Sequence, residues 1–104
     1  MGLTIESKET ESQKFTVILS GELNTETHKD LEKHLQGVIP KALGITFDMC
    51  GVTYISSMGL SAIFRVKLAM EAKGGIVVLA NLQPKVALVF DTMKVISPQM
   101  FASL

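Results

Sequence analysis

The sequence predicts an α/β fold, a single-domain sandwich in which helices pack on a mixed, mostly parallel central sheet that begins with an N-terminal β-hairpin. Three observations predict it. Two strand-like segments, Leu3–Glu6 and Phe15–Leu19, come first with no helical pattern between them. From Asn24 onward, helix-period and strand-like segments alternate, which is how a chain builds parallel strands through crossover helices. At 104 residues the chain is long enough for one real core and too short for two independent ones, so residues 1–104 are read as one domain.

Leu3-Thr4-Ile5-Glu6 alternates apolar and polar, and Phe15-Thr16-Val17-Ile18-Leu19 is a β-branched apolar run. The polar stretch Ser7 to Lys14 joins them as a hairpin connection. Gly21 ends the second strand. Asn24 or Thr25 then caps a helix whose Thr27, Leu31, Leu35 and Val38 recur at three- and four-residue spacing until Pro40 stops it. Ile45-Thr46-Phe47-Asp48-Met49 reads as a buried strand, and Val52-Thr53-Tyr54-Ile55 as an extended link into a helix that starts near Ser57. Lys73-Gly74-Gly75 closes that helix. Ile76-Val77-Val78-Leu79-Ala80 does not alternate, which predicts a central strand covered on both faces. Pro84 fits the first turn of a third helix with an apolar stripe of Val86, Val89, Phe90 and Met93, and Val95-Ile96 is expected to form a weak last strand.

Composition narrows the function. Hydrophobic residues make up 47% and charged residues 19% of the chain, which excludes a disordered or fibrous protein. Ten basic residues balance ten acidic ones and no two basic residues are adjacent, so nothing would neutralise a row of phosphates and nucleic acid is not expected as a partner. Apolar stretches are broken by charge or glycine short of the roughly 18 residues a span needs. The start of the chain carries Glu6 and Glu9 where a signal would be basic and apolar. A cytoplasmic protein with no direct membrane insertion is expected. Cys50 is the only cysteine, so neither an internal disulfide nor a cysteine-based zinc site can form; it reads as a small buried hydrophobe.

A catalytic site needs a nucleophile, a base and an orienting group that converge. The only histidines, His28 and His34, are six residues apart on one helix, about 240° around its axis, and cannot share a ligand. They read as solvent-facing. Gly74-Gly75 precedes a strand, whereas phosphate-cradling loops follow a strand and open a helix. No catalytic residue, metal ligand or cofactor is expected.

One arrangement carries a mechanism. Tyr54-Ile55-Ser56-Ser57-Met58-Gly59-Leu60-Ser61 runs from an extended segment into a helix N-terminus, with two adjacent hydroxyls where the helix begins. Either serine can cap the helix, contributing ~1 kcal/mol. Alternatively one hydroxyl is a phosphorylation site, because free N–H groups and the helix dipole favour a dianion there. Phosphate would leave the fold intact and add roughly −1.5 to −2 charge at one spot, repelling a partner shaped for a neutral hydroxyl.

Projection of residues 58–73 at about 100° per residue gathers Met58, Gly59, Ala62, Ile63, Val66, Ala69 and Met70 on an arc that should face the sheet. Leu60, Phe64 and Leu68 project elsewhere, between the polar pairs Ser61/Arg65 and Lys67/Glu71. This predicts an apolar ridge rimmed by charge: a docking surface, or a face covered by a neighbouring helix.

The Tyr54–Leu60 segment resembles the signature of the bacterial anti-sigma factor antagonists of the STAS domain family, in which an aromatic, an apolar residue, Asp, Ser, a small residue, Gly and Leu follow in order. Gly21-Glu22-Leu23-Asn24, Ile45-Thr46-Phe47-Asp48, Gly74-Gly75 and Leu88-Val89-Phe90-Asp91 extend the resemblance over about residues 3–97. The resemblance implies a regulator of transcription that acts by partner switching and has no active site of its own. Its partner would be an anti-sigma factor that is also a serine protein kinase. That kinase would be bound when the antagonist is unphosphorylated and released by phosphorylation, which by alignment falls on Ser57, with Ser56 as the alternative. The implied contact residues are Asn24, Ser56, Ser57, Met58, Gly59, Leu60, Ser61, Phe64, Arg65 and Leu68, on a monomer or weak homodimer.

Two positions depart from the family pattern: Ser56 stands where an acid usually precedes the phosphorylated serine, and Asn24 where the Gly-Glu-Leu turn usually has one. Met58 also replaces a small residue. The loss of two carboxylates leaves a constitutive binder as an alternative, and similar domains occur as scaffold subunits of stress-signalling and membrane-transport complexes. Small-molecule or nucleotide sensing finds no basic side chain ahead of the helix. The C-terminal helix usual in the family is expected to be short or missing after Pro98.

Overall fold

The structure, a computed structural model, describes residues 2–96, with side chains through residue 93. Strands β1 (Leu3–Glu11) and β2 (Lys14–Leu23) form an antiparallel hairpin. Helix α1 (His28–Gln36), a 3-10 turn (Ile39–Lys41) and β3 (Gly44–Ile55) follow, then α2 (Ser57–Ala72), β4 (Ile76–Ala80) and α3 (Pro84–Ile96). The sheet order is β1-β2-β3-β4, with β2–β3 and β3–β4 parallel.

The hairpin is longer than its apolar pattern predicts, because Ser7 to Glu11 and Lys14 lie in the strands and only Ser12-Gln13 turn. Gln13 takes a left-handed conformation (φ 64°), and its N–H donates to Glu9 Oε2 at 2.9 Å. Its carbonyl accepts from Leu43 and Gly44, pinning the start of β3. At the other end of β2, Gly21 has φ 112°, and a Cβ there would lie 2.2 Å from the carbonyl oxygen of Gly2. Only glycine meets both conditions without strain.

Val17, Leu19 and Leu23 of β2, Ile45, Phe47, Met49 and Val52 of β3, Leu31 and Leu35 of α1, Ile63 and Met70 of α2, and Val86 and Phe90 of α3 form one buried core. Each such side chain contributes about 1.5–3 kcal/mol relative to exposure. Thr16, Ile18, Thr46, Asp48, Ile76 and Val78 alternate with the buried set and are wholly or partly exposed.

The structure differs from the sequence-based expectation at four points. First, β4 is an edge strand and not a central one, with Ile76 62% and Val78 45% exposed. Its apolar run reflects β propensity, not two-sided cover. Second, the extended link Val52–Ile55 is part of β3, which continues through register shifts opposite Ile18/Ser20 and Gly21/Glu22. Third, Val95-Ile96 are helical and end α3. Fourth, α1 stops at Gln36, before Pro40, which sits inside the 3-10 turn with Lys73 Nζ donating to the carbonyls of Ile39 (2.7 Å) and Pro40 (3.2 Å). The family's C-terminal helix falls outside the described residues.

Candidate functional site at the start of α2

Because β2 and β3 are parallel, with Leu23 opposite Ile55, the chain turns into a helix at the same end of the sheet after each of them. After β2, Asn24 organises the turn. Its Oδ1 accepts from the backbone N–H of Glu26 (3.0 Å) and Thr27 (3.1 Å), and its own N–H donates to Thr27 Oγ1 (2.9 Å). The N-cap position of α1 falls on Thr27, not on Asn24 or Thr25 as expected, and Asn24 instead ties the turn that leads into the helix, its Nδ2 reaching Glu22 Oε1 at 3.4 Å.

After β3, Ser56 N–H donates to Leu23 O (2.9 Å), which locks the α2 start onto the end of β2. Ser56 is the N-cap: its backbone is extended (φ −97°, ψ 172°), and its Oγ accepts from Gly59 N–H at 3.2 Å. Ser57 is the first helical residue and is exposed. A helix leaves its first N–H groups without intrahelical acceptors. Ser56 satisfies that of Gly59, and those of Ser57 and Met58 have no acceptor among the described residues.

Met58 (39% exposed) and Tyr54 (51%) stand on either side of the serine pair. Tyr54 belongs to the quoted signature but was not among the expected contact residues; its position two residues ahead of the cap at the end of β3 was the signal for it. Gly59 faces inward, where a Cβ would come 2.5 Å from Leu23 O and 2.7 Å from Leu23 Cγ.

The apolar ridge is only partly present. Leu60 is buried (3% exposed) and belongs to the core, contrary to its expected outward projection, whereas Phe64 is half-buried and Leu68 is 48% exposed. Lys67, expected at the border of the arc, is also buried, its stem in the core and its Nζ 3.4 Å from Glu71 Oε2 and 5.5 Å from the Phe64 ring centroid. Met58 and Ala69, expected inside, face out. The buried arc is therefore rotated toward Leu60 and Lys67. The stripe that remains runs Ser57, Ser61, Phe64, Leu68 at helical spacing, with Ser57 and Leu68 exposed and Ser61 and Phe64 half-buried. Arg65, beside it, is held by Glu32 of α1 through Nε (2.8 Å) and Nη2.

Of the two histidines, His28 differs from expectation. His28 lies on the Leu31/Leu35 stripe and is buried, while His34 Nε2 is 2.9 Å from Ser7 Oγ and ties α1 to β1. Cys50 is exposed, not buried. Asp48 Oδ1 accepts from Asn81 Nδ2 and Cys50 N–H (3.2 Å each), and these bonds hold its carboxyl below the usual value. The hydrogen bond to Asp48 and its charge in turn push the Cys50 thiol up.

A mixed four-stranded sheet with two helices opening beside each other at its rim presents a serine pair at the start of α2, with Ser56 as the cap and Ser57 exposed. The STAS domain family model matches residues 4–103, and the chain belongs to that family. No curated protein sequence matches the chain significantly. Three solved structures show the breadth of the fold likeness. An anti-sigma factor antagonist from Mycobacterium paratuberculosis is 18% identical with TM-score 0.70, over 92% of this chain and 83% of that one. The Bacillus cell fate determinant SpoIIAA in its phosphorylated form is 17% identical with TM-score 0.73, over 86% and 83%. SLC26A9 is 13% identical with TM-score 0.74, over 86% of this chain and 17% of that much longer one. Among the described residues no helix is long and apolar enough to cross a membrane.

Proposed function

We propose that this STAS domain is an anti-sigma factor antagonist, a cytoplasmic, non-enzymatic regulator of transcription whose docking face is the start of α2 with the Ser57–Leu68 stripe, and whose switch is phosphorylation of Ser57. The observation that supports this most is the division of labour between the two serines. Ser56 makes the cap, so Ser57 is exposed and can accept phosphate without loss of the Ser56–Gly59 bond. The partner is an anti-sigma factor with serine kinase activity, which reads a neutral hydroxyl flanked by Tyr54 and Met58. Phosphate would repel it by charge while the fold persists. Asn24, occupied in its own turn, shapes the rim beside Ser56.

The experiment is phosphopeptide analysis of the protein from growing and stressed cells, paired with binding of Ser57→Ala and Ser57→Asp to the anti-sigma factor kinases of the same organism. Phosphate on Ser57 and binding lost only in Ser57→Asp support the switch; equal affinity of both variants removes it.

A second reading, a non-switching scaffold subunit of a signalling or transport assembly, is favoured by the likeness to SLC26A9, of which this fold covers 17%, and by the serine at position 56. Stable co-purification with larger subunits, with no phosphate in either growth state, would establish it in place of the first.

A further inference from the structure

Among the described residues, the buried side-chain polar atom that lacks a hydrogen-bond partner is His28 Nδ1. It lies 3.6 Å from Glu32 Oε2, one turn along α1 and beyond hydrogen-bond reach. The other oxygen of that carboxylate, Oε1, takes both bonds from Arg65 of α2. One carboxylate thus stands between two groups able to carry positive charge, and its good contacts all go to one of them. Of the charged groups nearest in the chain, Glu26 and Lys29 are exposed. Asn24 and Thr27 in the preceding turn are neutral, and Glu22 at the end of β2 has its carboxylate on Asn24 Nδ2. Asp30, Lys33 and His34 line the opposite flank of α1, against Leu3 and Ile5 of β1.

We propose that Glu32 is a shared carboxylate that couples the availability of Arg65 on the docking face to protonation of His28. When an anionic group of a docked partner takes Arg65, Glu32 turns to the histidine. The ring takes up one proton from solvent and, as an imidazolium, donates a hydrogen bond from Nδ1 to Glu32 Oε2. Capture of Arg65 and proton uptake then assist each other by the same factor, because coupling between two sites is reciprocal. The sign follows: an anionic partner group at Arg65 raises the titration midpoint of His28, so such a partner docks more tightly as pH falls through that midpoint. The role of Arg65 in docking rests on the function proposed above; the coupling between the three side chains does not.

The test uses the protein alone, with Arg65→Ala standing in for capture of the guanidinium. The His28 ring is titrated by NMR in the wild type, Arg65→Ala, Glu32→Gln and the double variant, with thermal unfolding to show that each is folded and Arg65→Gln in reserve should the alanine fail. The midpoint is expected to rise by about half a pH unit or more in Arg65→Ala and to fall in Glu32→Gln. In the Glu32→Gln background the Arg65→Ala change should move it far less. One midpoint shared by all four proteins overturns the coupling, and so does an equal Arg65→Ala shift with and without Glu32, which would mean that Arg65 acts on the ring directly. Should the α2 face bind nothing, these midpoints would still behave as expected, so the two ideas fail separately.

Discussion

Gly59 rests directly against Leu23: a Cβ on Gly59 would lie 2.5 Å from the Leu23 carbonyl oxygen, the same oxygen that accepts from Ser56 N–H. The first turn of α2 is thereby held at a fixed height over the end of β2. Gly59→Ala must push the helix off that seat, and a loss of about 1–3 kcal/mol is expected from overpacking, read as a lower midpoint in urea at unchanged slope. Any partner affinity should fall as well, since Ser57 moves with the turn.

The two serines separate by what their loss does. Ser56→Ala removes the cap and should cost ~1 kcal/mol, roughly 4 °C or more in the calorimetric midpoint for a domain of this size. Ser57→Ala should stay within about 0.5 kcal/mol of the wild type, as an exposed substitution outside the cap bond. A larger loss at Ser57 than at Ser56 would reverse the assignment of cap and switch.

On the long face of α2, Leu68 and Leu60 look equivalent in sequence but not in space. Leu68→Asp changes a half-exposed side chain and should leave the fold intact while weakening partner binding at least tenfold. Leu60→Asp places a charge in the core and should unfold the domain. Circular dichroism with a pull-down distinguishes them; a folded Leu60→Asp would show that the core does not include it.

The thiol of Cys50 should alkylate slowly despite its exposure, because its hydrogen bond to the Asp48 carboxylate and the charge of that group both raise its pKa and thin out the thiolate. Asp48→Asn should speed modification by iodoacetamide severalfold near pH 8. For Asp48 itself the linkage has the opposite sense. Its folded pKa is lowered, chiefly by the Asn81 amide, so its contribution to stability is complete above the ordinary value of 3.8 and is lost as pH falls through the lowered one. Asp48→Asn should flatten stability in that acid window.

What could be read from the sequence divides along physical lines. Strong local chemistry was legible: the helix start at Ser57, the glycine stop at Lys73-Gly74-Gly75 and the proline opening of α3 each leave a side-chain or backbone mark at one position. Features set by the assembled sheet were not. Ser7 to Glu11 are exposed on both faces of an edge strand, so nothing in their pattern alternates. Ile76–Ala80 carry the same residues an inner strand would. The phase of α2 is hidden in the sequence because Lys67, a charged residue, is buried, as long amphipathic side chains can be. His28 shares the stripe of Leu31 and Leu35, yet its polarity suggested solvent.

The hairpin tip offers a practical use. Ser12 and Gln13 turn the chain at the far end of β2, a ten-residue strand, and so stand about 30 Å from the end where Ser57 is presented. A tether or a fluorescent reporter attached at that tip would hold the domain from behind and leave the opposite rim free to meet whatever it binds, in an immobilised assay or inside a larger fusion.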